Sequence, residues 1–222
     1  AVPRQHLHGR THRVRHGILR PMSQLQGLLG RHFTWAAIAF ELALGLIGCL
    51  LSWGVGNWPL AGTEPLALRT AWWNIGFGTA TALPFLAGLV LLDHYPIRVL
   101  QPLVRIVRTD VVPLFRGTGT AGLVAIACAA GVGEELLFRG FLQQTLAAWW
   151  GLPAGPWIAL AIASLAFGCC HWLCAAYAVL ATVMGLVLGG LLLVTGHLAA
   201  PITMHALYDA LALLYLTRSG RL

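Results

Sequence analysis

The sequence predicts an all-α fold: one polytopic membrane helix bundle of about six transmembrane helices. Three observations lead there. Of its 222 residues, 58% are hydrophobic and only 9% are charged, with a mean hydropathy of +0.77. A water-soluble domain carries about a quarter charged residues, so too little polar surface remains to cover one. Apolar stretches of membrane length, about 20 residues each, recur along the chain, separated by turn residues or by an arginine-rich segment.

The first 32 residues contain six of the fourteen basic residues, all of them Arg, together with five His and no acidic residue. The net charge of +7 is largely a property of this tail. It lacks the apolar pattern of a folded unit and reads as a disordered basic tail. A basic run before a first span faces the cytoplasm and anionic headgroups, so nucleic-acid binding is not inferred. Met22 offers an alternative start, which would make residues 1–21 upstream sequence.

Residues 33–118 read as two N-terminal spans and an interfacial segment. The first span, 33–56, is interrupted only by Glu41; the second, 70–92, carries a kinking Pro84. In "IRVLQPLVRIVRTDVVPLFRG", Arg98, Arg105 and Arg108 alternate with aliphatics, as in an amphipathic element lying on the membrane surface. An ordinary cytoplasmic loop is the alternative.

Residues 119–217 form the remaining unit. A long helical segment, 119–150, is followed by the turn "GLPAGP" and three spans at 157–174, 175–195 and 199–217. This count puts the N-terminal Arg and His, the 98–116 segment, Arg218 and Arg221 on one side. By the positive-inside rule that side, with both termini, is cytoplasmic. Ala181, Gly185 and Gly189 give the fifth span a small-residue face suited to close packing. Five cysteines, Cys49, Cys128, Cys169, Cys170 and Cys174, lie in apolar segments. They argue against a disulfide framework, and "CCHWLC" reads as small packing residues rather than a zinc site.

Function is carried by ionisable residues inside the spans. Glu134, Glu135 and Arg139 fall within six positions of an apolar helix. Each opposes insertion by roughly 2.5–3.5 kcal/mol at the helix centre. Glu135 and Arg139, four apart, share a face and can pair. Glu134 is rotated about 100° away and is left without that partner, available to take a proton from water. A purely structural polar network is the competing reading. Phe167 lies four residues before His171 and can orient its ring. Asp209 follows His205 by four and can fix its tautomer. Three helices contributing ionisable groups at membrane depth are hard to explain as packing alone.

The motifs "GEELLFRGFLQ", "FGCCH" and "HALYD" are an EExxxR, an FxxxH and an HxxxN/D motif in the right order. Over roughly residues 119–215 the chain resembles the CPBP family of intramembrane glutamic endopeptidases, the CAAX proteases and bacteriocin-processing enzymes also called the Abi family. The resemblance implies a metal-independent hydrolase acting on a membrane-associated protein or peptide, with no cofactor. Glu134 would be the general base for a water that His171 helps to hold. His205 and Asp209 would bind the oxyanion, while Glu135, Arg139 and Phe167 would shape the site. An ionised Asp cannot donate a hydrogen bond, so Asp209 in place of the commoner Asn leaves His205 as the stronger candidate donor. Other readings are a non-catalytic scaffold, immunity or regulatory protein, a zinc site of His171, His205 and Glu134, and a proton-coupled transporter.

Overall fold

The computed structural model describes residues 32–57, 68–95 and 97–218. The tail of residues 1–31, with Met22, and Arg221 at the other terminus lie outside the described residues. Every regular element among them is helical. Helix α1 is Phe33–Gly54 and α2 is Leu68–His94, with Pro84 inside it. A short helix α3, Gln101–Ile106, is flanked by tighter and wider helical turns from Arg98 to Phe115. Helix α4, Thr120–Glu135, runs on through a π-helical stretch, Leu136–Gln143, into α5, Gln144–Trp150. Then come α6, Gly155–Cys170, α7, Ala175–Thr195, and α8, Ala199–Arg218.

Among the described residues, five helical stretches are long and apolar enough to cross a membrane: Phe33–Gly54, Ala71–His94, Thr120–Trp150, Ala175–Thr195 and Ala199–Arg218. The expected span at 157–174 is shorter than the sequence suggested. Helix α6 has 16 residues and stops at Cys170. Its end is made by His171, whose Nδ1 donates to the Phe167 carbonyl at 2.8 Å. That side chain satisfies a carbonyl the next turn would otherwise have used. The chain then passes through a non-helical turn, residues 171–174, before α7 begins.

The 98–115 segment is helical and amphipathic: Leu103, Val112 and Leu114 are buried while Arg98 and Arg105 are exposed. It is fastened to the end of α2 by the Arg108–Asp93 ion pair, and the Tyr215 hydroxyl of α8 donates to the same Asp93 at 2.9 Å. Arg218 donates to Thr120 at 2.6 Å, and Phe33 meets Phe115 edge-on. One end of the bundle therefore gathers Arg98, Arg105, Arg108, Arg116 and Arg218. At the other end the exposed Trp53, Trp72, Trp73, Trp149, Trp150 and Trp157 form a girdle. Such indoles favour the membrane–water boundary.

Small residues set the helix contacts that build the interior. A Cβ on Gly133 would collide with the backbone carbonyl of Glu41, and one on Gly45 would lie 3.0 Å from the Gly133 Cα. The α1–α4 crossing is thus glycine against backbone, which carries Glu41 next to Glu134. Helices α6 and α7 pack antiparallel, with Gly185 against Ser164 and Gly189 against Leu160. This is the close packing expected of the Gly185/Gly189 face.

Candidate active site

Three elements converge at the middle of the bundle: the C-terminal end of α4, the turn after α6, and the second and third turns of α8. Glu134 lies about 21 Å along α4 from Thr120, at 1.5 Å per residue. Helix α6 returns from the tryptophan end and, being short, ends level with it. Phe167 organises the meeting point. It is buried, stacks on the His171 ring at 4.3 Å, meets the His205 ring edge-on at 5.9 Å, and meets Phe138 edge-on at 5.1 Å. The Arg139 guanidinium sits over its face at 4.5 Å. A cation over an aromatic face is held by the ring quadrupole.

The four-residue spacing of Glu135 and Arg139 is realised as a fully buried ion pair, Nη1 to Oε1 at 2.9 Å with both side chains 0% exposed. Arg139 also donates through Nη2 to the Gly185 carbonyl at 3.1 Å, and Gln143 donates to the Gly189 carbonyl at 3.1 Å. Arg139 and Gln143 stand four apart in the π-helical stretch, facing two glycines that are four apart on α7. Matched spacings give two parallel side-chain-to-backbone bonds. Glycine at both α7 positions lets the helices come near enough to make them.

Glu135 has a second partner. Its Oε1 also lies 2.8 Å from His205 Nδ1, while His205 Nε2 is 3.5 Å from Asp209 Oδ2. The sequence assigned tautomer control of His205 to Asp209; the closer contact belongs to Glu135. That bond spans α4 and α8 and could not be read from spacing within one helix. His205 is buried, whereas Asp209 is only partly so.

Glu134 stands outside this network. Its side chain is 12% exposed, and its Oε2 faces His171 Nε2 at 3.7 Å, too long for a direct hydrogen bond. His171, 25% exposed, has Nδ1 committed to the Phe167 carbonyl. In the neutral ring that makes Nε2 an acceptor, turned towards Glu134. One buried oxygen each of Glu41, Glu134 and Glu135 has no hydrogen-bond partner among the described residues. Buried carboxylate oxygens are ordinarily satisfied by protein or water.

Sequence reasoning missed two contributors. Glu41 interacts electrostatically with Glu134, His205 and Asp209 from α1. Its signal was the same one that flagged Glu134, a carboxylate interrupting an apolar span. Gln143, buried, was signalled only by its spacing from Arg139. Among the described residues, no three His, Cys, Asp or Glu are grouped to hold a metal ion. The His171/His205/Glu134 set of the zinc alternative is not such a group: His205 turns Nδ1 to Glu135 at 2.8 Å and Nε2 towards Asp209 at 3.5 Å. The five cysteines are free thiols.

Residues 116–211 match the family model described as "Type II CAAX prenyl endopeptidase Rce1-like". No curated protein and no solved structure matches the chain. The matched segment holds Glu134, Glu135, Arg139, Phe167, His171, His205 and Asp209, and leaves α1 with Glu41 outside.

Proposed function

Because residues 116–211 match the model of the Rce1-like family of type II CAAX prenyl endopeptidases, in a chain that is an integral membrane protein, we propose that it hydrolyses a peptide bond of a membrane-associated protein or peptide by means of a glutamate-activated water. The observation that carries this is the 3.7 Å separation of Glu134 Oε2 and His171 Nε2. Both are acceptors, and neither satisfies the other. A water oxygen about 2.8 Å from each would see them roughly 80° apart, so one molecule can donate an O–H to both. Its lone pairs then point out of the pair, towards an arriving carbonyl.

Glu134 takes a proton from this water as the oxygen bonds to the carbonyl carbon, giving a tetrahedral intermediate. His171 accepts the other O–H and fixes the direction of attack. His205, held by Glu135, offers Nε2–H to the oxyanion; its 3.5 Å contact with Asp209 is loose enough to be exchanged. Collapse of the intermediate breaks the C–N bond, and protonated Glu134 returns its proton to the leaving amine. The irregular backbone at residues 171–174 supports water access, since non-helical chain at membrane depth occurs where it lines a wet cavity or is buried in protein. With the arginine end as the cytoplasmic face and the tryptophan girdle opposite, both termini are cytoplasmic.

The test is Glu134→Gln, which keeps shape and removes the base. New peptide termini found by mass spectrometry in membranes of cells making the wild-type chain are expected to vanish with the variant, while its thermal unfolding is preserved. If every such terminus persists in the folded variant, the reading is wrong.

A further inference from the structure

Resting on that reading, a gap remains in the stabilisation of the oxyanion. His205 must divide Nε2 between the intermediate and Asp209, and Asp209 itself accepts but cannot donate while ionised. A carboxylate beside a developing negative charge opposes it, so a further neutral donor is needed near His171 and Asp209.

Tyr177 occupies that position. It is the third residue of α7, just after the turn at 171–174. Its ring lies 6.2 Å from the His171 ring, tilted by 50°. Its phenol also interacts electrostatically with Asp209, Tyr208 and Glu134. Tyr177 is partly buried, and no described side chain takes its hydroxyl as a hydrogen-bond partner. The neighbouring Tyr208 is differently placed: its ring packs edge-on against Phe85 at 6.3 Å, in the apolar cluster around Leu188 and Met204. We propose that the Tyr177 hydroxyl is an oxyanion donor of this peptidase, supplying the hydrogen bond that Asp209 withholds.

A neutral phenol suits the task. It adds no charge to a site already holding four carboxylates, Glu41, Glu134, Glu135 and Asp209. Its hydroxyl hydrogen turns about the C–O bond, so the donor can be aimed without moving the ring. A donor aimed at the oxyanion acts only as charge develops, so its loss lowers kcat rather than raising KM.

The experiment uses the full chain in liposomes with a fluorescence-quenched, prenylated CAAX-type peptide as probe. Tyr177→Phe removes one oxygen and keeps the ring. The expected result is a fall in kcat of about 100-fold, as for loss of an oxyanion donor, with KM within about twofold. Adding Asp209→Asn to Tyr177→Phe, which supplies an amide donor, is expected to recover a large part of the lost kcat. Unchanged kcat in Tyr177→Phe, with Glu134→Gln inactive on the same probe, overturns the Tyr177 role and leaves the glutamate mechanism standing. A loss carried wholly by KM overturns it too, since that marks substrate binding. Cleavage that survives Glu134→Gln overturns both.

Discussion

His205 Nδ1 stands 2.8 Å from Glu135 Oε1, the same oxygen that receives Arg139 at 2.9 Å. One carboxylate thereby ties α4 to α8 and, through Arg139, to α7. Of the two adjacent glutamates, Glu135 belongs to this network and Glu134 stands outside it.

Replacing Glu135 by Gln is expected to destabilise the fold, because Arg139 would remain buried without its counter-charge. Breaking a buried pair in this way costs about 3–5 kcal/mol. Thermal unfolding in detergent should show a clear drop for Glu135→Gln and almost none for Glu134→Gln. Equal melting of the two variants would contradict the division.

His171→Ala removes the acceptor facing Glu134 and the cap on the Phe167 carbonyl. Cleavage of the probe peptide should fall by about 10²-fold, the cost of misplacing the attacking group. Stability should fall by only about 0.5–1.5 kcal/mol, one hydrogen bond at a helix end. A variant that cuts at the wild-type rate would remove His171 from the mechanism.

Gly189 and Gly190 provide a matched pair. A Cβ on Gly189 would run into Leu160 and Gln143, whereas one on Gly190 meets nothing within 4 Å. Leu160 and Gln143 both meet it with the ends of flexible side chains, so Gly189→Ala should cost the displaced Gln143–Gly189 hydrogen bond, about 0.5–1.5 kcal/mol. Gly190→Ala should be neutral or stabilising by up to about 1 kcal/mol, through helix propensity. Denaturation of the two purified variants side by side checks the contrast.

Treatment with a chelator should leave the cleavage rate unchanged, since the proposed reaction draws on Glu134, His171 and His205 alone. Activity lost to the chelator and restored by zinc would mean that these side chains rearrange around a metal.

What could be read from the sequence was whatever a single helix determines. The spacing of Glu135 and Arg139 specified a pair on one face, and the left-handed Gly196 after Thr195 ended α7 where the sequence placed it. Long-range relations were not legible. Nothing in α1 alone says that Glu41 meets Glu134, because that depends on Gly133 admitting a neighbouring backbone. Hydropathy continued α6 to Cys174, being blind to a histidine that caps its own helix. The π-helical stretch leaves no mark on an apolar pattern, yet Arg139 and Gln143 lie within it.

The brevity of α6 also bears on the lipid around it. Sixteen residues cover about 24 Å, several ångströms less than the roughly 30 Å of hydrocarbon in a typical bilayer. Beside the exposed Trp172, acyl chains must shorten, tilt or give way to water, at fractions of a kcal/mol per ångström of mismatch. Bilayer thickness thus becomes a variable of the protein itself: short-chain lipids relax that dimple, and long-chain lipids press hydrocarbon towards the turn at 171–174.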